Sequence, residues 1–296
     1  MKKYTIDQFR EQYPTDDVCL HKIFTLKYGD MSICPKCERD NKFVRVKNRR
    51  SYQCPSCGFQ LYPTAGTIFD KTTTPLIYWF YAIYLQTTTR NGVAAKELER
   101  QLNICYKTAL RMAHQIKKLM ASDNEKLSGV VELDETYVGG LHRNMHKKKR
   151  DELNKLGTGS ISKTPVFAML QRGDGKIAVY VLNIQQINGR TLQPIIIDNV
   201  EQGAKIITDN HGAYVNLKDN FDHSIVQHEK GEYVRDKAHT NTVEGFFSIL
   251  KRTIKGTHIH VSKEHMQKYV DEVAFRYLHK SNQDTMFESV LNRIVA

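Results

Sequence analysis

Apolar positions in this chain change their period from one stretch to the next. In residues 67–125 they recur at helical spacing. Val93, Ala94, Leu98 and Leu102 share one side of Val93–Leu102. Ala109, Met112, Ala113, Ile116 and Leu119 share one side of a second helix from Tyr106 to about Met120. In residues 129–230 strand-like runs alternate with helices: Val130–Val138, Pro165–Gln171, Lys176–Leu182, a helix around Thr191–Val200, then the apolar run Ala204–Asp209. Helical spacing returns over 239–280, where Val243, Phe246, Phe247, Leu250 and Ile254 form an apolar stripe and Asn241, Glu244, Ser248, Lys251 and Lys255 a polar one. Short helical patterns (Ile6, Phe9, Tyr13; Val18, His21, Ile23, Phe24) open the chain. The reading is an α/β protein: a helical lead-in over 1–30, a cysteine module over 31–66, a helical region over 67–125, and an α/β domain over 126–296 with a basic loop at 139–162.

Three acids disturb this pattern. Val130–Val138 carries acidic residues in mid-strand, which is costly for a buried strand unless they meet a metal or a partner. Asp134 therefore asks for an explanation, with Glu132 on its own face and Glu135 on the other. Asp209 ends a buried strand, where α/β sheets open to ligands. A third acid must come from elsewhere. Glu244 on the polar stripe supplies it, with Glu229 and Glu232 as available alternatives. Converging carboxylates repel one another, and divalent cations relieve that repulsion; oxygen donors select Mg2+ or Mn2+ over zinc. Two such ions suit in-line phosphoryl transfer without a covalent enzyme intermediate.

The cysteines point to a different metal. Cys34-Pro-Lys-Cys37 and Cys54-Pro-Ser-Cys57 are two C-x-x-C turns separated by 16 residues, a spacing that closes a tetrahedral shell around zinc. Four protein ligands leave no open position, so this zinc is structural. Lys42–Val46 and Ser51–Gln53 suit a short hairpin, making the module a zinc ribbon, while Cys19 and Cys105 read as buried thiols. Arg45, Lys47, Arg49, Arg50 and Tyr52 offer phosphate contacts and a stacking ring, although a ribbon serves protein contacts equally well.

Charge changes the picture further. The 296 residues hold 44 Lys and Arg against 32 Asp and Glu, a net +12, which favours a polyanion such as nucleic acid. Dense spots lie at Lys47–Arg50, at Lys147, Lys148, Lys149 and Arg150 in the loop, and at Lys251–Arg252. The pair of helices at 93–120 fits a helix-turn-helix with Tyr106, Lys107 and Arg111 facing bases; an amphipathic hairpin packed on the main domain fits as well. No stretch has a signal-peptide core or the length to span a bilayer, so the expectation is a cytoplasmic protein, nucleoid-associated on DNA.

Taken together, Cys34–Cys57, Ala95–Ile116, Val130–Gly140, Ile207–Tyr214 and His239–Tyr277 resemble the DDE transposases of insertion sequences, in the subgroup with an amino-terminal zinc ribbon. That resemblance implies a ribonuclease-H-like mixed sheet flanked by helices, with Asp134, Asp209 and Glu244 as the catalytic, metal-binding triad. The 34 residues between Asp209 and Glu244 resemble the D-34/35-E spacing of that family. His239 and Asn241 match its H-x-N and would support the site or substrate phosphates, although both they and Thr240 also suit a helix start. One departure is Leu278 after Phe275-Arg276-Tyr277, where the family pattern has Asn. The implied function is binding of terminal inverted repeats, strand cleavage and transfer into target DNA, by at least a homodimer. Two alternatives are a domesticated, non-catalytic DNA-binding regulator and a ribonuclease-H-like nuclease without strand transfer.

Overall fold

A computed structural model describes residues 4–122, 125–139, 146–148, 150–151, 163–173, 175–183, 187–226 and 239–295. The chain divides into two compact units, Met1–Leu119 with Asn282–Ala296, and Met120–Ser281.

The first unit begins with helices α1 (Ile6–Gln12) and α2 (Asp16–Tyr28), started by the side chains of Thr5 and Thr15. A small antiparallel sheet follows, β1 (Val44–Arg45), β2 (Tyr52–Gln53) and β3 (Gln60–Leu61) in that order. Helix α2 packs against it: the rings of Phe24 and Tyr52 lie 4.3 Å apart, and Arg45 pairs with Asp17 at 2.8 Å. Tyr52 is therefore buried, not the exposed stacking ring the sequence suggested.

Helices α3 (Leu76–Thr88), α4 (Ala95–Leu102) and α5 (Tyr106–Lys118) complete the unit. The link from α3 to α4 is fixed by one buried amide. Gln86 donates to the Val93 carbonyl at 2.9 Å and accepts from the Val93 N–H at 3.2 Å. Gln86→Ala leaves both Val93 groups buried without this partner and is expected to lower stability by about 1–3 kcal/mol in urea unfolding followed by tryptophan fluorescence, Trp79 lying in α3. Between α4 and α5, Asn103 turns the chain in the left-handed region at φ 50°.

The short helix α9 (Met286–Asn292) also belongs to this unit rather than to the α/β domain that precedes it in sequence. Phe287 explains why, since its ring lies 5.1 Å from Tyr4, 5.6 Å from Tyr13 and 6.0 Å from Phe9. Glu288 adds polar ties to the Tyr13 hydroxyl at 3.3 Å and to Lys22 at 2.9 Å.

The second unit is built on a five-stranded mixed sheet in the order β6-β5-β4-β7-β8. The strands are β4 (Val130–Val138), β5 (Thr164–Gln171), β6 (Ile177–Val181), β7 (Lys205–Thr208) and β8 (Asp222–Ile225). β5 runs antiparallel to both β4 and β6, whereas β7 and β8 run parallel to β4. Every position of β5 is buried, which its uninterrupted apolar run anticipates. One face packs on α6 (Gly189–Asn199) and the 3-10 helix Gly212–Asp219 through Val131, Leu133, Phe167, Leu192, Ile196 and Tyr214. The other packs on α7 (Asn241–Thr253) and α8 (Met266–Leu278) through Val166, Ala168, Phe246, Leu250 and Val270. This is the mixed sheet flanked by helices that the sequence led us to expect. On its edge strand, the Gln267 side chain accepts from Val181 N–H at 2.7 Å and donates to the Val179 carbonyl at 2.9 Å.

Candidate active site and metal centre

The cysteine module assembles as its spacing requires. Each C-x-x-C pair sits on a tight turn closed by backbone bonds, Glu38 N–H to Cys34 O at 2.8 Å and Gly58 N–H to Cys54 O at 2.9 Å. The residue after each second cysteine, Glu38 or Gly58, has a positive φ, 58° and 71°. Gly58 adopts this without cost, and Glu38 does so with some strain. All four sulfurs lie within 4.8 Å of one another, with Cys34–Cys57 at 3.7 Å and Cys37–Cys54 at 3.8 Å. Zinc–sulfur bonds of about 2.3 Å in a tetrahedron place sulfurs roughly 3.8 Å apart, so the four thiols fit that ion. It is the one such group of His, Cys, Asp and Glu ligands among the described residues.

The carboxylates are positioned by strand register. β4 and β7 pair in parallel with Glu132 opposite Ile207. β7 ends at Thr208, so Asp209 stands just past the strand that neighbours β4, close enough for its charge to be felt at Asp134. Alternation then sorts the acids of β4: Glu132 and Asp134 point to the α7 face, and Glu135 to the face covered by the 3-10 helix. On the exposed stripe of α7 stand Asn241, Glu244, Ser248, Lys251 and Arg252, with Lys255 exposed just beyond its end. Thr240 donates its hydroxyl to Glu244 at 3.3 Å.

Electrostatics ties these groups together. Burial pushes the Asp134 carboxyl up to about 8; a bond from the Glu135 N–H opposes the rise, and the negative charges of Glu135, Asp209 and Glu244 add to it. Asp134 thus feels both of the other acids of the expected triad. Their oxygens do not close to the 4.8 Å spacing of the cysteine cluster. The donor set, three carboxyl groups of which burial and like charge hold one above its ordinary value, nevertheless fits hard divalent cations, whose charge would favour the ionised forms.

Several participants escaped sequence reasoning. Glu135 accepts a 2.5 Å hydrogen bond from the Tyr214 hydroxyl and lies 3.8 Å from His211 Nδ1. Burial holds its carboxyl above the ordinary value, the Tyr214 bond works against this, and the charge of Asp209 reinforces it. Asp209 in turn accepts from the His211 N–H at 3.1 Å. Arg172, following β5, donates to Glu132 at 2.5 Å and to the His239 carbonyl at 2.6 Å. His239 itself faces Glu132 at 3.5 Å.

The basic residues divide into those turned outward and those already engaged. Tyr106, Lys107 and Arg111 are exposed at the start of α5, with Lys96 5.6 Å from the Tyr106 ring and Arg111 3.3 Å from the Asp70 carbonyl. Arg49 and Lys47 are exposed, whereas Arg50 donates to the carbonyls of Thr72 and Thr74 at 2.7 and 2.9 Å and is 3.6 Å from Asp16. Lys147 and Lys148 are exposed and Arg150 is half-buried; Lys149 lies outside the described residues. Cys19 is buried as expected. Cys105 is not: it is exposed at the cap of α5, where its thiol meets the Thr108 hydroxyl at 3.1 Å. Lys117, on the same helix, is buried. Among the described residues no helix is long and apolar enough to cross a membrane.

The chain thus joins a mixed sheet flanked by helices, with Asp134 on β4, Asp209 just past β7 and Glu244 on α7, to a four-cysteine ribbon, the combination of a zinc-ribbon transposase. Residues 126–277 match the ISXO2-like transposase domain, and residues 14–60 match the transposase zinc-ribbon domain. The chain belongs to this ISXO2-like transposase family, and the four-cysteine cluster is its zinc-ribbon site. The ribbon match takes in α2, as the packing of Phe24 on Tyr52 requires. A protein of Halobacterium salinarum, described as an uncharacterized protein in transposable element ISH50, is 29% identical over 248 residues, covering 80% of this chain and 82% of its own length. A cryo-EM structure of a simian T-cell lymphotropic virus intasome with PP2A regulatory subunit B56 gamma aligns over 60% of this chain and 63% of its own at 10% identity. Its TM-score of 0.30 is too low to carry an argument.

Proposed function

We propose that the protein binds the terminal inverted repeats of an insertion sequence and catalyses metal-dependent cleavage and transfer of DNA strands, with Asp134, Asp209 and Glu244 as the catalytic acids. The observation that supports this reading is that the charges of Asp209, just past β7, and Glu244, on α7, both act on the buried Asp134 of β4. Divalent cations held by the three carboxylates would activate the attacking oxygen of water or a 3′-hydroxyl and stabilise the leaving oxygen.

Everything else falls to the chain's own groups. Glu135, tied to Tyr214 and next to His211, lies close enough to Asp209 for the two acids to interact. Lys251 and Arg252, about two turns beyond Glu244, stand where they would take up backbone phosphates. Tyr106, Lys107 and Arg111 at the amino end of α5 suit base-edge and phosphate contacts in a major groove. Arg49, Lys147, Lys148 and Arg150 are further phosphate partners, with Lys149 assigned to the same group. Arg50 acts indirectly by fixing the loop at Thr72–Thr74. Holding two element ends requires at least a homodimer on DNA, in the cytoplasm at the nucleoid.

The reading is tested with end-labelled terminal-repeat DNA and Mg2+ or Mn2+. Wild type is expected to nick or cut at the element boundary. Asp209→Ala and Glu244→Ala are expected to bind the same DNA with near wild-type affinity and leave it whole. Binding without cleavage by wild type would assign the protein to regulation. Cutting without any joined product would leave it a nuclease.

A further inference from the structure

Helix α7 lacks a cap from its own sequence. Its first residue is preceded by Thr240, whose side chain makes no capping bond and donates instead to Glu244. The carboxylate of Glu132, 110 residues away on β4, takes that place. Its Oε2 accepts from the N–H groups of Thr242 at 2.9 Å and Val243 at 3.0 Å, and its Oε1 from the Thr242 hydroxyl at 2.8 Å. Arg172 donates to the same oxygen at 2.5 Å and reaches the His239 carbonyl at 2.6 Å.

Glu132 is fully buried, at 0% exposure. A buried carboxylate is tolerated only when paired and hydrogen-bonded; here the guanidinium and the positive end of a helix provide both. Both ends of this contact adjoin the acids of the site. Glu132 is two residues from Asp134 on one face of β4, and Val243, whose N–H it holds, is next to Glu244. We infer that Glu132 is a positioning residue: together with Arg172 it locks the first turn of α7 to β4 and so sets the separation of Glu244 from Asp134. His239 lies beside this contact, its Nδ1 3.5 Å from Glu132. The inference rests on the proposed carboxylate site.

The test is Mn2+ binding by the zinc-loaded full-length chain, read from the paramagnetic resonance signal of free Mn2+, with the Mn2+ dependence of cleavage measured in parallel. Wild type against Asp134→Ala reports on the site itself. If the two bind Mn2+ alike, the carboxylate site is wrong and the positioning role falls with it. Given a wild-type site, Glu132→Gln is expected to weaken Mn2+ binding by roughly tenfold or more, the usual cost of removing a group that orients metal ligands. The cleavage optimum should move to higher Mn2+ while DNA affinity holds. Thr242→Val removes one bond to Glu132 without unpairing a backbone group or the arginine, and is expected to weaken Mn2+ binding a few-fold. Should Glu132→Gln not fold, Thr242→Val decides alone. Wild-type Mn2+ affinity in every variant that folds overturns the inference, because a purely structural cap would change the melting temperature and leave metal affinity untouched.

Discussion

Metal-free Asp134→Asn is expected to melt above the wild-type protein at pH 8 and to lose strand cleavage altogether. Both effects have one cause. Burial and the charges of Glu135, Asp209 and Glu244 raise the Asp134 carboxyl from an ordinary 3.8 to about 8. The unfolded chain gives up this proton near pH 4, whereas the folded protein holds it until about pH 8. The folded state therefore loses stability as the pH rises through that window. Asparagine carries no proton to lose, so the advantage of the variant grows from pH 4 to pH 8 and shrinks again on acidification. Each kcal/mol so relieved is worth about 2–4 °C in a domain of this size. Mg2+ or Mn2+ reverses the order, raising the wild-type melting temperature by mass action and leaving the variant unmoved. Cleavage should fall by at least about a thousandfold, as when one member of a catalytic unit is removed. Scanning calorimetry at several pH values, with and without Mn2+, checks the first part, and single-turnover cleavage the second. A variant that melts below wild type at pH 8 without metal, or one that Mn2+ stabilises as strongly, would contradict this account.

Removing zinc is expected to unfold the ribbon and leave the sheet domain standing. The three strands β1–β3 hold only two residues each, too few to form a stable sheet alone. Their order depends on Cys34, Cys37, Cys54 and Cys57, and on the packing of Tyr52 against α2. Structural zinc in finger-sized modules supplies about 10–16 kcal/mol, more than such a module's whole stability. Chelation, or Cys54→Ser, should therefore bring residues 14–60 to fast hydrogen exchange and abolish one bound zinc per chain by atomic absorption. Exchange in β4, β5 and β7 should not change, since these strands lie in the other compact unit. If the ribbon amides stay protected without zinc, the thiols are not its support.

The sequence was most readable where a feature is local or periodic. The C-x-x-C turns, the buried strand at Ala204–Asp209 and the two-sided helix at Asn241–Ile254 each announce themselves within a dozen residues, and each forms close to its expected bounds. Asp134 was legible as an acid in the wrong place. What stayed hidden depends on partners far away in the chain. Alternation puts Glu132 on the face of Asp134, yet nothing local says that it caps a helix 110 residues on. Arg50 stands in a basic run like a phosphate ligand, and its carbonyl partners at Thr72 and Thr74 appear only on folding. Cys105 looked like another buried thiol because helix periodicity does not fix the face of a cap residue. The tail that carries Phe287 follows the sheet domain in order but seeks the aromatic cluster of the first unit, a choice made by ring packing that no spacing encodes.

The Gln267 amide on β6 bears on assembly. By acting as a surrogate peptide toward Val179 and Val181, it occupies main-chain groups that a further strand would need. A second copy, or any extended peptide, is thereby refused as a sixth strand on that side of the sheet. If two copies meet on DNA as proposed, they would join through helices, loops or the opposite margin at β8, and Gln267→Ala is expected to open the β6 margin to strand pairing.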